Sequence, residues 1–448
     1  MQHLPSLQWM RRFTRELVLV GFALVLMLPL TACGGGGGGS SSGGGATSSG
    51  PVNLTYWGWI PGTDKMVAAW NQTHPNIHVT WVQTPGGAPT YAKMFTAIKA
   101  NNEPDLGQVE FQELPTFEAT GALVDLAPYG AASVKDQFVP WTWSQVTLGN
   151  AIYAIPGDTG PLGLYYRADL FQKYNIPVPT TWAQFADDAA KLHAADPKVY
   201  ITDFPPTSVG WFMGLAWQNG ARFFNISGQS WVVSLNNPQA QQVAAFWQSL
   251  LEKKLVTTET DFTTGFYHDL GTGKIATWIG APWTASSLST NVPSGSGKWR
   301  VAPIPQWQAG GTTDGNWGGS TEVVFKSSKH PKEAAQFAEW LYTDQTPVED
   351  YITLAGGYPA KLAALSSKAL NSPNPYFQNQ NLNEVFKVAA PEVNVNFQWG
   401  PTMNQVTNDI SDNFSNAANG KTTLVAALNT VQQSTVAFMK KQGFSVSG

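Results

Sequence analysis

At 448 residues the chain is too long for one ordinary hydrophobic core and points to two or three domains. Charged residues make up 12% of it, against about 25% in typical soluble domains, and the formal charge is -4, with 19 tryptophans and 43 glycines. Such a composition argues against nucleic acid or an anionic membrane surface as a partner.

Arg11, Arg12 and Arg15 precede the apolar run LVLVGFALVLMLPL, residues 17–30, the charged region and core of a signal peptide. The run is shorter than the ~20 residues of a membrane span. The only cysteine, Cys33, follows at once. Leu30-Thr31-Ala32-Cys33 resembles a bacterial lipobox, which implies a leader over residues 1–32 and a lipid on the Cys33 thiol. That use leaves no cysteine for a disulfide, a cysteine zinc site or a thiol nucleophile. Without Arg11, Arg12, Arg15 and Glu16, 23 basic and 29 acidic residues remain, a net of -6. Residues 34–50, GGGGGGSSSGGGATSSG, offer nothing large to bury, so 33–51 is expected to be a lipidated tether. The Asn-x-Ser/Thr triplets at Asn53, Asn71, Asn225 and Asn413 are short enough to occur by chance.

Val52, Leu54 and Tyr56 in VNLTYWGW alternate as a strand does before Gly58 and Pro61. A helix over 64–73, a strand over 77–83, a helix over about 89–101 and a strand in EPDLGQVEF should follow. Strand, helix, strand, helix, strand signals a parallel sheet covered by helices, with ligands at the carboxyl ends of the strands. Trp57, Trp59, Glu110, Phe111 and Gln112 fall at such ends. Alternation sends Glu110 and Gln112 to one side and Phe111 to the other. Later, Thr181 and Gln184 form a T-x-x-Q capping box for a helix beginning at Trp182. KIATWIG (274–280) and STEVVF (320–325) read as strands. Ala334, Phe337, Ala338 and Leu341 share one helix face, and the last 75 residues look mostly helical.

DLGQVEFQE, LVDLAPY, IPGDTGPLGLYYRADLF, PTTWAQF, GKIATWIGAPW and GGSTEVVF occur in this order. In that order the chain resembles the extracellular solute-binding proteins, family 1, of ABC importers, the group that includes maltose-type binding proteins. The resemblance covers Val52 to the C-terminus and implies an α/β fold of two lobes joined by hinge crossings. Carried over by segment, the crossings lie near Asp158 to Leu164, near Trp278 to Pro282 and after the helix ending near Thr343. Lobe one then comprises 52–160 and 281–345, and lobe two 161–280 and 346–448. The resemblance also implies sugar capture without catalysis, permease subunits as partners, a monomer, a lipid anchor on the extracytoplasmic face, and neither cofactor nor metal.

Trp317, in TTDGNWGGSTEVVF, sits where a loop enters a strand. Gly318 and Gly319 allow close backbone approach, and an indole offers a flat apolar face with one polar edge. Sugars present the complement, an apolar face and a rim of hydroxyls. Asn316, Gln112, Asp158 and Glu110 are the expected hydrogen-bonding partners. Trp283, after the strand leading into APW, and Trp399, in FQWGPTMNQV, match family positions that send aromatics into the cleft. Trp182, Trp231, Trp247 and Trp340 read as core, and Asp105 and Asp125 as turn caps.

Paired carboxylates in an aromatic cleft also suit a secreted glycoside hydrolase, and a binder of another polar solute is a third reading. Against metal, nucleotide or acyl chemistry, the six histidines show no H-E-x-x-H spacing, and neither a Walker loop nor a G-x-S-x-G elbow is present.

Overall fold

The computed structural model describes residues 50–447. The leader, Cys33 and most of the tether lie outside the described residues.

The first lobe is built on a five-stranded sheet ordered Ile77–Gln83, Val52–Gly58, Leu106–Glu110, Ser320–Val324, Ala154–Pro156. The first three strands are parallel, as the alternating pattern predicts, with Tyr56 opposite both Trp81 and Leu106. Helices Thr63–Thr73 and Gly87–Lys99 supply the crossovers. The other two strands are antiparallel additions, with Ser320 opposite Glu110 and Thr321 opposite Pro156. Leu54, Tyr56, Leu106, Val109, Val323 and Val324 are all at most 1% exposed, so this sheet is covered on both faces.

The second lobe centres on Gly163–Arg167, flanked on both edges by antiparallel strands Thr277–Gly280 and Trp299–Pro303. Around them pack the helices Trp182–Ala195, Val209–Gln218 and Pro238–Glu252, and near the C-terminus Asn383–Glu392, Met403–Ala418 and Leu424–Lys441. The capping box at Thr181 is half as expected. Thr181 Oγ1 accepts from Gln184 N at 3.2 Å, but Gln184 Oε1 accepts from Thr180 N at 2.9 Å, one residue earlier. Trp182 and Trp247 are core, whereas Trp231 and Trp340 are half-buried against it. No helix of the described residues is long and apolar enough to cross a membrane.

The first change of sheet falls between Pro156 and Gly163, but the expected boundaries at 280/281 and 345/346 are not where the chain changes lobes. Strand Trp299–Pro303 bonds to Gly163–Arg167, with Val301 opposite Tyr165, so the segment after 281 still belongs to the second lobe's sheet. Placing it there satisfies the backbone along the second edge of a buried strand. Beyond Thr343, helix Gln345–Ala355 packs on helices Thr63–Thr73 and Pro331–Thr343 of the first lobe.

Three crossings therefore meet at the hinge, and they bond to one another. Trp317 N donates to Gly160 O at 2.8 Å, Thr159 N to Tyr358 O at 2.9 Å, and Ala360 N to Gly157 O at 3.0 Å. Side chains complete the knot: Gly160 N donates to Asn316 Oδ1 at 2.7 Å and Leu162 N to Asp314 Oδ1 at 3.0 Å. The second crossing is Asp314–Gly319 and not Trp278–Pro282. The third lies at Gly356–Ala360.

Candidate functional site

The hinge sets Trp317 between the lobes. Its ring packs edge-on against Trp283, with centroids 4.8 Å apart at 74°. Phe262 lies 5.8 Å from Trp283, 6.0 Å from Trp317 and 5.9 Å from Trp278. Trp317 is only 8% exposed and Trp283 half-buried, but Phe262 is 48% exposed. It is the open edge of a four-ring wall.

Facing this wall, the carboxyl end of strand Leu106–Glu110 presents Glu110 and Gln112. Glu110 Oε2 accepts from the Tyr91 hydroxyl at 2.7 Å and from Gln112 Nε2 at 3.4 Å. Burial raises the Glu110 carboxyl above the usual range despite these bonds. Trp59 meets Tyr91 edge-on at 6.0 Å, so Trp59, Tyr91, Glu110 and Gln112 are contiguous. The two sides meet at Gly210, at the start of helix Val209–Gln218. A Cβ there would come within 2.9 Å of the Trp317 ring and 3.6 Å of Gln112 Oε1. The glycine lets the second lobe's helix lie against the Trp317 ring, where a Cβ would clash, while Gln112 stays at ordinary contact distance.

Several expected site residues are committed elsewhere. Phe111 is 1% exposed and packs on Trp141 at 5.3 Å, so it belongs to the core; a Cβ on Gly319 would meet its ring at 2.7 Å. Asn316 spends both ends of its amide on the hinge, on Gly160 N and on Gly318 O at 2.6 Å. Asp158 accepts from Ser320 N and from the Tyr351 hydroxyl at 2.5 Å. Burial lifts its carboxyl to about 6, and it too is a hinge clamp. Trp399 is 4% exposed against Phe397 and Trp217. It lines a separate cavity of about 300 Å³ between Glu118, Gln145 and Asn396. Trp57 is half-buried with Lys93 Nζ 3.8 Å over its ring, so that face is occupied.

Gly318 keeps the role its surroundings allow. At φ 83° it is in the left-handed region, and the nearest atom to an added Cβ is Trp283 Nε1 at 3.6 Å. Among the described residues the N–H groups of Gly318 and Gly319 have no acceptor. They are two donors beside the aromatic wall.

Phe262, Trp278 and Gly210 escaped the sequence reading. TDF offers one aromatic among polar residues, Trp278 reads as an ordinary strand residue, and Gly210 lies in a helix; what marks all three is long-range contact. Asp125 is a turn cap, as read, accepting from Ala127 N at 3.0 Å; Asp105 is not, since it clamps the neighbouring strand by accepting from Thr55 N at 2.8 Å.

Two α/β lobes, three bonded crossings and an aromatic wall facing polar strand ends define a two-lobed binding protein of the type II periplasmic-binding fold. A family model described as bacterial extracellular solute-binding protein matches residues 58–346, and the chain belongs to that family. A solved structure, the galacto-N-biose-/lacto-N-biose I-binding protein of the ABC transporter from Bifidobacterium longum in complex with lacto-N-biose, is 30% identical. Its TM-score is 0.81, with 89% of this chain and 100% of that one covered. The ABC transporter associated binding protein from B. animalis subsp. lactis Bl-04, in complex with beta-1,6-galactobiose, is 25% identical at a TM-score of 0.77, with the same coverage. The arabinooligosaccharide-binding protein of Halalkalibacterium halodurans is 22% identical over 387 residues, 82% of this chain and 84% of that protein.

Proposed function

We propose that this solute-binding protein captures a carbohydrate between its lobes and delivers it to the membrane subunits of an ABC importer. The observation that carries the reading is the wall of Phe262, Trp283 and Trp317 opposite Glu110 and Gln112. Aromatic faces suit the apolar face of a pyranose, while carboxylate, amide and the Gly318 and Gly319 N–H groups suit its hydroxyls. Relatives that bind galactobiose, lacto-N-biose and arabinooligosaccharides by name support a sugar and direct the choice of ligands.

A sugar touching both walls binds the closed form better and shifts the population toward it. Closure then presents a changed outer surface to a permease. The protein acts as a monomer held to the extracytoplasmic face by a lipid on Cys33, and it returns its sugar uncleaved.

Thermal shift against galacto-, arabino- and gluco-oligosaccharides, amino acids and peptides tests this, with product analysis on each hit. A ligand at 100 times its dissociation constant adds about 2.7 kcal/mol of stability. Stabilisation by one sugar class, recovered intact, is expected. Cleaved sugar would make the protein a hydrolase, and a response to amino acids or peptides alone would remove the carbohydrate reading.

A further inference from the structure

A cavity of about 520 Å³ lies in the second lobe between helix Asn383–Glu392, the end of strand Trp299–Pro303, and the segments 178–180 and 310–312. None of the four wall rings, nor Glu110 or Gln112, lines it. Its walls are apolar: Val178, Pro303 and Ile304 on one side, and on the other Val385, Val388 and Ala389, which share one helix face. Val388 is 59% exposed and Val178 36%. Two large apolar side chains thus face a volume within the size range of small-molecule sites.

The polar groups of the cavity are one-sided. Each side-chain donor that lines it is already bonded within the protein: Thr180 Oγ1 to Gln184 Oε1 at 2.9 Å, Gln306 Nε2 to Ile304 O at 3.1 Å, Thr312 Oγ1 to Glu392 Oε2 at 3.0 Å and Gln380 Nε2 to Val301 O at 2.7 Å. Among the described residues three acceptors are free: Gln306 Oε1, the carboxylate of exposed Glu384, and Asp314 Oδ2. Asp314 is 3% exposed, and its Oδ1 accepts from Leu162 N at 3.0 Å and from Gly315 N at 2.7 Å. Its Oδ2 has no partner and, unlike the enclosed Glu113 Oε2, keeps a contact with solvent. Because Asp314 lines the cavity, that contact opens into it. No lysine, arginine or histidine is among the lining residues. On the surrounding elements Arg300 turns to Gln378 at 3.5 Å and Lys387 is exposed, whereas Glu384 and Glu392 add negative charge. Neither Asp314 nor Glu384 takes part in a salt bridge among the described residues. Burial raises the Asp314 carboxyl above the usual range, so without a cation beside it the group takes up a proton.

We propose that this cavity binds a small organic amine as its ammonium ion, with the hydrocarbon body against Val385 and Val388 and the charged head on Asp314 Oδ2. An ammonium brings three donors to a site whose free groups are acceptors. Its charge neutralises the carboxylate in place of the proton, which returns to solvent. An alcohol of the same length supplies the body but one donor and no charge, and a fatty acid anion meets Asp314 and Glu384 as a like charge. Asp314 also caps Leu162 N and Gly315 N at the second crossing, so the amine bears on the hinge from a site that the wall does not share. The inference does not rest on the carbohydrate reading, and its test uses no sugar.

Titration calorimetry of the protein with butyl-, hexyl- and octylammonium, and with hexanol and hexanoate, tests the site. Hexylammonium should bind at one site, about tenfold or more tighter than hexanol, with hexanoate weaker still. Affinity should rise roughly fourfold per methylene from butyl to hexyl. Val388→Ser, at an exposed position, should weaken hexylammonium and hexanol by a similar factor, about threefold or more. Asp314→Asn keeps an oxygen for Leu162 N and Gly315 N but removes the charge, so it should weaken hexylammonium about tenfold and leave hexanol unchanged. The comparison of amine with alcohol needs no variant and decides the matter if Asp314→Asn fails to fold. Hexanol binding as tightly as hexylammonium would overturn the proposal, and so would an amine that does not bind at millimolar concentration. Amine binding undiminished in either folded variant would place the amine elsewhere and overturn it too.

Discussion

Replacing Phe262 separates strain from contact, because at this position glycine should be better tolerated than alanine. Both substitutions remove a ring about half covered by Trp278, Trp283 and Trp317. A fully covered Phe buries 150 to 250 Å², so half coverage is roughly 100 Å², or about 2.5 kcal/mol at ~25 cal/mol per Å². That loss is common to the two variants. Alanine keeps a Cβ at φ 61°, at a cost of about 1 to 2 kcal/mol that glycine escapes. Glycine in turn widens the unfolded ensemble, costing ~0.4 to 1 kcal/mol. The balance leaves Phe262→Gly more stable than Phe262→Ala by about 0.5 to 1 kcal/mol, the reverse of the usual order. Urea unfolding of the two variants, compared by midpoint at a common slope, measures the difference. An alanine variant equal to or more stable than the glycine variant would refute imposed strain at Phe262. Titration with the best carbohydrate ligand should show both variants weakened by about tenfold, roughly 1.4 kcal/mol, since neither has a ring.

Three further outcomes follow from the same structure. Trp317→Ala removes a ring 8% exposed, so besides losing affinity it should lose about 3 kcal/mol or more of stability in urea; a fold as stable as the parent would show the ring to be loosely held. Burial lifts Glu322 to about 8 although Tyr56 and Tyr342 both donate to its Oε1, at 2.6 and 3.0 Å. The native state then holds a proton that the unfolded chain has lost, and this stabilisation, complete below the ordinary carboxylate range, disappears as pH rises toward 8. Glu322→Gln should flatten the fall in unfolding free energy between about pH 5 and pH 9 by at least about 1 kcal/mol, and an unaltered slope would place the titration elsewhere. Cys33→Ser should move the protein from the detergent to the aqueous phase on Triton partitioning; retention in the detergent phase would remove the lipid anchor.

Much of the first lobe was legible because its signals are local. Val52, Leu54 and Tyr56 alternate, and Leu106–Glu110 follows its helix at crossover distance, so a parallel sheet can be read without a partner in view. The antiparallel strand Trp299–Pro303 gives no such signal. Its place beside Gly163–Arg167 is set by pairing across more than a hundred residues, and the expected second crossing fell too early for that reason. The same limit governs the site. Asn316, Asp158 and Phe111 have the chemistry a sugar would use or the company of residues that do, but long-range contacts commit the polar pair to hinge bonds and the phenyl ring to Trp141. Glu110 and Gln112 were legible because alternation alone puts them on one side. Phe262 was not, because what places it in the wall is ring contact with Trp278, Trp283 and Trp317, all distant in sequence.

The hinge explains why so many polar side chains near the site make no outward contact. A crossing segment has neither helix nor sheet to satisfy its backbone, and three crossings packed together would bury unpaired N–H groups. Asp158, Asn316 and Asp314 cap those groups on Ser320, Gly160 and Leu162, so the pivot is built from side chain to backbone bonds. Gly210 and Gly214, one helical turn apart, lay helix Val209–Gln218 on the middle crossing; a Cβ on Gly214 would come within 2.9 Å of Asn316 O. Trp317 thus belongs to the crossings by its main chain, bonded to Gly160, and to the aromatic wall by its ring, against Gly210 and Trp283. On the proposed function, a ligand pressing on that ring would act at the crossings between the lobes, and its preference for one lobe angle would become a shift in the closed population without any relay through the domains.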